Sequence, residues 1–141
     1  MDSKALEQYS LIGIYLGATN VRVARIRGER IEQIETEKIV ESGEPSDLLN
    51  QIQKLINQVN QEDVNSIGIG VPSVVDVEEG IVYDVQNISS WNKVPVKSIL
   101  ENAFDMPVYV NNDANCFVLG EKFFGKGQGY ESIVGLTLGS G

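Results

Sequence analysis

The hydrophobic pattern of this chain changes period along its length, and that change restricts the folds open to it. The first third contains three apolar or alternating segments, residues 11–16, 21–26 and 31–39, each typical of a β-strand. Gly28 and Glu29 offer a tight turn between the second and the third. Three consecutive strands joined by short turns predict an antiparallel meander.

The rest of the chain alternates between helical and strand-like patterns. Apolar residues recur at helical spacing between positions 47 and 58, and Ser46 is expected to cap that helix. The further predicted elements are helices at 95–104 and 113–124, strands at 66–71, 107–110 and 132–138, and a small hairpin around Gly80. The order βββ-α-β-α-β-α-β predicts an α/β fold. We expect a mixed sheet of three antiparallel strands followed by parallel strands, with flanking helices.

Composition and charge narrow the classes of function. The chain has 141 residues, enough for one domain, and a formal charge of −9 from 20 acidic and 11 basic side chains. A field of that sign repels nucleic acids and anionic membrane surfaces, so neither is an expected partner. The basic cluster Arg22, Arg25, Arg27 and Arg30 is expected to form a solvated face of the sheet. No apolar run approaches the roughly 20 residues of a membrane-spanning helix, so a cytoplasmic location is expected.

The scarcity of ligating and nucleophilic side chains excludes several kinds of site. The chain has no histidine and a single cysteine, Cys116. It therefore has no intramolecular disulfide, no zinc site of the usual ligand types and no histidine-based nucleophilic catalysis. Acid–base chemistry is left to carboxylates, lysines and tyrosines.

Glycine-bearing loops follow three of the predicted strands, at residues 17–19, 70–72 and 139–141. Small residues leave backbone N–H groups accessible, and such groups suit phosphate or sugar oxygens. Each loop taken alone is more typical of an ordinary turn. The three together favour a binding site.

Five segments, in this order, resemble the motifs of the ROK family of sugar kinases and related repressors, which has the actin-like ATPase fold. They are residues 12–20, residues 67–72 followed by Asp76, Asn87 with Trp91, residues 112–115 followed by Gly120 and Glu121, and residues 138–141. In the family these are the first phosphate loop, the sugar loop, a sugar-contacting asparagine, the segment with the catalytic base, and the start of the second phosphate loop. The resemblance covers nearly the whole chain.

The resemblance implies a set of site residues. A hexose or amino-sugar substrate is expected to bind at Gly70, Pro72, Asn87, Asn112 and Asp113. ATP, with magnesium, is expected at the phosphate loops, which comprise Gly17, Ala18, Thr19, Asn20, Gly139, Ser140 and Gly141. No metal ligand is expected in this chain, because the family's zinc-binding residues and a further sugar-contacting glutamate come later.

Asp113 is the expected catalytic base. It follows a predicted strand and opens a predicted helix, where the helix dipole favours a carboxylate. A sugar hydroxyl is a poor nucleophile, so a kinase positions a carboxylate to accept its proton. The alternative is that Asp113 only caps its helix. Trp91 and Cys116 are expected to be packing residues.

Three residues depart from the family pattern. Tyr15 stands where the family usually has an aspartate near the magnesium and phosphates. Ala18 replaces the second glycine of that loop, and Ser73 replaces a glycine often found after the proline of the sugar loop. The loss of the aspartate is expected to weaken or abolish phosphoryl transfer.

The resemblance also bears on domain organisation. Residues 1–141 match the N-terminal, sugar-binding domain of a two-domain kinase, so the nucleotide-binding domain is expected to be absent and the chain to be a truncated, inactive fragment. An apolar face exposed at its edge is compatible with a homodimer. Glucose, N-acetylglucosamine, N-acetylmannosamine, fructose and allose all remain candidate substrates.

Two other classes of function compete with a glucokinase-like enzyme. One is a non-catalytic sugar-binding or regulatory ROK protein, which Tyr15 favours. About ten residues precede the first predicted strand, too few for the DNA-binding module of a ROK repressor. The other is an interaction domain without a sugar site, which residues 112–115 disfavour.

Overall fold

The computed structural model describes residues 6–40, 44–85 and 87–139. These parts contain eight strands and three helices. The strands are β1 (Ser10–Leu16), β2 (Asn20–Arg27), β3 (Arg30–Lys38), β4 (Val64–Val71), β5 (Val74–Asp76), β6 (Ile81–Tyr83), β7 (Lys93–Val94) and β8 (Val108–Asn112). The helices are α1 (Pro45–Val59), α2 (Val96–Phe104) and α3 (Asp113–Phe123). The main sheet has the order β3-β2-β1-β4-β8, and β5-β6-β7 form a smaller one.

The main sheet is mixed, as the sequence predicts. β1, β2 and β3 pair antiparallel, whereas β4 pairs parallel with both β1 and β8. Gly28 has a φ of +57° in the turn between β2 and β3, a conformation that glycine adopts without steric cost. The small sheet is antiparallel, and its first hairpin turns at Gly80, as predicted.

Each central strand buries one face. Alternate residues of β1 and β4 lie in the core beneath the helices, among them Ile12, Leu16, Ile67 and Val71. The residues between them, such as Gly13, Tyr15, Gly68 and Gly70, face the opposite side. We call that second side the open face, because its floor of small residues borders a cleft rather than the core.

Helix α1 begins earlier than the sequence suggested. Pro45 occupies the first turn and Glu44 the N-cap position, so Ser46 lies inside the helix and is not its cap. Proline fits there because its fixed φ suits a helix start and its missing N–H needs no partner. Seven residues of α1 are buried, including Ile52, Leu55 and Ile56.

Arg25 corrects the expectation of a solvated basic face. Its side chain is directed toward α1 and the residue is only 8% exposed. Nη1 donates a hydrogen bond of 2.7 Å to the carbonyl oxygen of Val59, in the last turn of α1, and Nε donates one of 2.9 Å to Glu32. Helix α1 has no basic residue in its own last turn, so Arg25 supplies the positive charge that a helix C-terminus favours.

Arg27 extends this contact into a network at the same edge of the sheet. Its Nε donates a 2.9 Å hydrogen bond to Glu32, and Nη2 donates another to Asp63. Hydrogen bonds from Arg25 and then Arg27 lower the pKa of Glu32. The hydrogen bond from Arg27 lowers the pKa of Asp63.

These lowered pKa values predict acid sensitivity. A carboxyl group whose pKa is lower in the folded state stabilises the fold above its unfolded pKa, and the stabilisation is lost as the pH falls through the folded value. We therefore expect the urea midpoint of unfolding to drop below about pH 4. Glu32→Gln should flatten that dependence, whereas Glu62→Gln, at an exposed carboxylate in the same region, should not. An unchanged pH profile in Glu32→Gln would contradict this role for the network.

The predicted strand at residues 132–138 is wrong. The chain there has no regular secondary structure, and Val134, Leu136 and Leu138 are 100%, 77% and 88% exposed. A strand is stable only when a neighbour satisfies its backbone hydrogen bonds, and no described strand pairs with this segment.

Candidate functional site

A cleft of about 990 Å³ lies over the open face of the main sheet. Among the residues that line it are six of those predicted for the site: Ala18, Gly70, Pro72, Asn87, Asp113 and Gly139. The lining thus includes at least one residue from each predicted loop.

The remaining predicted residues are placed differently. Gly17, Thr19, Asn20 and Asn112 adjoin the cleft in sequence but do not line it. The loop that follows β1 is closed by a 2.9 Å hydrogen bond from Gly17 N to the carbonyl oxygen of Asn20. Ser140 and Gly141 lie outside the described residues.

One row of residues crosses the open face at the carboxyl ends of the parallel strands. The register of the four strand pairings aligns Asn111, Gly70, Tyr15, Arg22 and Thr36. All but Thr36 line the cleft. Ligands of open α/β sheets bind beyond these strand ends, so the row marks the floor of the candidate site.

Tyr15 is the aromatic side chain of this row. It is 46% exposed, and its Cε1 lies 3.0 Å from where a Cβ on Gly17 would be. The ring therefore contacts the backbone of the first phosphate loop. A bulkier residue at position 17 would require the ring to move.

Among the residues that the structure describes, Asp113 is the one acidic side chain that lines the cleft, where Arg22 and Lys97 are the basic ones. It is the first residue of α3, and the N-cap position belongs to Asn112. The amide oxygen of Asn112 accepts hydrogen bonds from Ala114 N at 3.0 Å and from Asn115 N at 3.3 Å. Because Asn112 caps the helix, Asp113 is not needed for that role. Its own Oδ1 accepts one hydrogen bond of 2.8 Å from Ala114 N.

Gly70 allows α3 to approach the sheet closely. A Cβ at this position would lie 3.3 Å from Cys116 Sγ and 3.5 Å from Asp113 Cα. The absence of a side chain at this position of β4 therefore leaves room for Cys116 and for the start of α3. Burial raises the pKa of the Cys116 thiol, and the charge of Asp113 raises it further. A thiol with a raised pKa stays protonated at neutral pH, in keeping with a packing role.

The loop between β6 and β7 carries Asn87 to the cleft. Val85 N donates to the carbonyl oxygen of Trp91 at 3.0 Å, which closes the loop, and Asn87 is exposed at its tip. Trp91 is fully buried, and its Nε1 donates a 3.2 Å hydrogen bond to the carbonyl oxygen of Pro45. The prediction that Trp91 packs beneath the loop is confirmed.

A magnesium ion does not fit the described part of the cleft. Magnesium prefers several oxygen ligands, with carboxylates among them, and Asp113 is the lone carboxylate there. Tyr15, beside the first phosphate loop, supplies a phenol and not a carboxylate. Within the described ranges, no three carboxylate or thiol side chains cluster as a metal site would require.

Several residues of the cleft were missed by reasoning from the sequence. They include Arg22, Tyr109, Asn111, Phe117 and Thr137. Strand alternation placed Arg22 and Tyr109 on a face but gave no sign that the face borders a cleft. Asn111 could have been found, because it directly precedes the Asn112–Asp113 pair at the end of a predicted strand.

The similarity of this chain to known proteins extends over nearly its whole length. The sequence model of the ROK family matches residues 11–141. The chain belongs to the ROK family. Its fold is therefore that of the actin-like ATPases, as predicted. No helix in the described part of this ROK chain is both long and apolar enough to cross a membrane.

Both kinases and repressors are among the relatives of this ROK chain. A glucokinase of Thermotoga maritima is 37% identical over 96% of the chain and 44% of its own length. A xylose repressor of Caldicellulosiruptor bescii is 35% identical over 94% of the chain and 35% of its own length. The structure of a ROK glucokinase from Streptomyces griseus, in complex with glucose and AMPPNP, is 30% identical with a TM-score of 0.76. It covers 85% of this chain and 38% of the other. The chain thus spans less than half the length of these relatives.

Proposed function

We propose that this chain is the sugar-binding half of an ATP-dependent hexose kinase that phosphorylates the 6-hydroxyl of its substrate. The single observation that carries the proposal is the position of Asp113. This carboxylate lies in the cleft with the three loops, while Asn112 caps the helix in its place. Glucose and N-acetylglucosamine are the preferred candidates, because relatives include glucokinases and an N-acetyl-D-glucosamine kinase.

The sugar would bind between the small sheet and α3. Asn87, which lines the cleft, offers an amide donor and acceptor suited to vicinal hydroxyl groups, and Pro72 lines the same wall. Asn112 adjoins the cleft, and the second N–H of its amide is left for a sugar oxygen. The Asp113 carboxylate would accept the proton of the sugar's 6-hydroxyl group. At the same time the hydroxyl oxygen would form a bond to the terminal phosphorus of ATP, and the bond between that phosphorus and the oxygen of the departing ADP would break. Aromatic side chains such as Tyr109 and Phe117 would exclude water from this end.

The phosphate loops would hold the nucleotide only in part. Of the residues expected to contact phosphate, Ala18 and Gly139 line the cleft and would contribute small side chains and backbone N–H groups. The rest of the nucleotide pocket, with any magnesium ligands, belongs in this proposal to a second domain. We therefore expect the 141-residue chain alone to bind hexose and to show no turnover.

A coupled assay of ADP release tests the proposal. Glucose, N-acetylglucosamine, N-acetylmannosamine, fructose and allose would each be offered, with ATP, to the 141-residue chain and to the protein encoded by its whole reading frame. We expect turnover by a protein that contains both domains and none by the short chain. Turnover by the short chain would refute the proposal that catalysis needs a second domain. No turnover by a two-domain protein would refute the proposal that this protein is a kinase.

Tyr15 favours a second candidate, a ROK protein that binds sugar without phosphorylating it. Its ring contacts Gly17 of the first phosphate loop. At position 15 the family usually has a carboxylate. The similarity to a xylose repressor supports the same candidate. Hexose or xylose binding without turnover, together with some ATP-dependent turnover in Tyr15→Asp, would decide for it. An active wild-type protein would exclude it.

A further inference from the structure

We propose that Asn112 is a positioning residue that fixes the sugar loop relative to Asp113, through a chain of hydrogen bonds that ends on the small sheet. The expected effect of Asn112 on sugar binding rests on the proposed function. The chain of hydrogen bonds itself can be tested without any ligand. We call Asn112, Ser73 and Tyr83, with the hydrogen bonds between them, the clasp.

The side-chain amide of Asn112 bonds in two directions. Its oxygen caps α3 through Ala114 N and Asn115 N, so it holds the helix that begins with Asp113. Its Nδ2 donates a 3.1 Å hydrogen bond to the carbonyl oxygen of Ser73. One planar group therefore joins the start of α3 to the loop after β4.

Ser73 carries the connection onward. Its backbone N donates a 2.9 Å hydrogen bond to the carbonyl oxygen of Val71, which closes a three-residue turn around Pro72. Its hydroxyl donates to the carbonyl oxygen of Tyr83, at the end of β6. The glycine that the family often has at this position has no hydroxyl, so the second link is absent from chains that keep it.

The clasp joins the two walls of the cleft. Pro72 lies inside its turn, and the strand that ends at Tyr83 leads directly into the loop that carries Asn87. Asp113 lies at the other end of the clasp. The register pairs Val71 with Asn112, so the loop after β4 starts beside the start of α3. A change in the clasp would therefore alter the spacing between the sugar loop and the catalytic carboxylate.

The second N–H of the Asn112 amide makes no hydrogen bond within the described part of the chain. Asn112 adjoins the cleft without lining it, so a direct contact with the sugar would require this N–H to turn toward the ligand, and a test must separate that contact from the clasp. Ser73 permits that separation, because its hydroxyl donates to the carbonyl oxygen of Tyr83 and the residue is not one of those expected to bind the sugar.

The first experiment measures amide hydrogen exchange in the unliganded 141-residue chain. Asn112→Asp keeps an oxygen that caps α3 but replaces the donor to Ser73 by a second carboxylate oxygen, and Ser73→Ala removes the link to Tyr83. We expect the exchange of β5 and β6 amides to become about fivefold to tenfold faster in both variants, with β1 and α1 unchanged. Asn102→Asp, the same change on the exposed side of α2, is the matched control. Unchanged exchange, or an equal rise throughout the chain, would overturn the clasp.

The second experiment is a double-mutant cycle on glucose affinity, measured by calorimetry with Asn112→Asp, Ser73→Ala and the double variant. If Asn112 acts through the clasp, the double variant weakens binding by clearly less than the product of the two single effects. If Asn112 acts only by touching the sugar, the effects multiply or Ser73→Ala has none, and the positioning role is refuted. If glucose does not bind even to the wild-type chain, the proposed sugar site fails for glucose, and hydrogen exchange alone decides the clasp.

Discussion

Asp113→Asn is expected to lower the kcat of hexose phosphorylation by about 10²–10⁴-fold in the two-domain protein, with little change in sugar affinity. Asparagine keeps the size of the side chain and one hydrogen-bonding oxygen, so binding and the helix start should persist. It cannot accept a proton at neutral pH, and no other acidic side chain lines the described cleft. Steady-state kinetics and calorimetry with the same sugar measure the two effects separately.

The control for this prediction is Asp105→Asn. Asp105 is exposed at the C-terminal end of α2 in a left-handed conformation that asparagine also tolerates, so the same chemical change there should leave kcat unaltered. A loss of hexose affinity in Asp113→Asn with kcat preserved would assign Asp113 to binding rather than catalysis.

Trp91→Ala is expected to destabilise the fold by about 3–5 kcal/mol, a large share of the stability of a domain of this size. The indole is fully buried beneath the loop that carries Asn87, and its removal would leave a cavity between that loop and the start of α1. Urea denaturation followed by circular dichroism would report the loss as a lower midpoint.

Two variants calibrate this result. Trp91→Phe keeps most of the packing and loses the hydrogen bond to Pro45, so we expect a smaller loss of about 1–2 kcal/mol. Tyr130→Ala removes a side chain of a residue that is 65% exposed, and it should change the free energy of unfolding by less than about 0.5 kcal/mol. A Trp91→Ala variant as stable as Tyr130→Ala would show that the indole is not part of the core.

The meander and helices α1 and α2 could be predicted from the sequence because their hydrophobic periods are clear, whereas α3 has a weak period and no buried residue. β7 could not, since its two residues carry no period. The start of α1 was misplaced because Ser46 is a good cap by type, whereas Pro45 suits the first helical turn by geometry. The strand at residues 132–138 has the right pattern, but a pattern cannot show whether a pairing partner exists.

The arginine cluster shows how a count of charges can mislead. Side chains alternate along a strand, so Arg22 lies on the open face while Arg25 and Arg27 lie on the other. Treating the four arginines as one face ignored that alternation. The buried contact between Arg25 and Val59 depends on where α1 ends relative to the sheet. The local sequence of β2 carries no information on that position.

The candidate site was predictable in part. The loops that line the cleft are identified by their residue types and order. Those after β1 and β4 converge because parallel strands end at one edge, whereas Gly139 reaches the cleft without a preceding strand. The clasp was not predictable. It joins Ser73 to Asn112, 39 positions apart, through a register between β4 and β8 that only the assembled sheet defines.

The central position of β1 has a consequence for how the chain folds. On one side β1 pairs with β2 through a short turn, and on the other it pairs with β4, as in Ser10 with Val64, across more than fifty intervening residues. A hairpin such as β1–β2 closes within microseconds, whereas the pairing of β1 with β4 requires the closure of a long loop. We therefore expect β1 to expose an unpaired edge early in refolding, at the stage when strands from different molecules can associate. After dilution from urea, the light scattered per unit mass of protein should then rise with protein concentration. A value that does not depend on concentration would show that β4 pairs with β1 without delay.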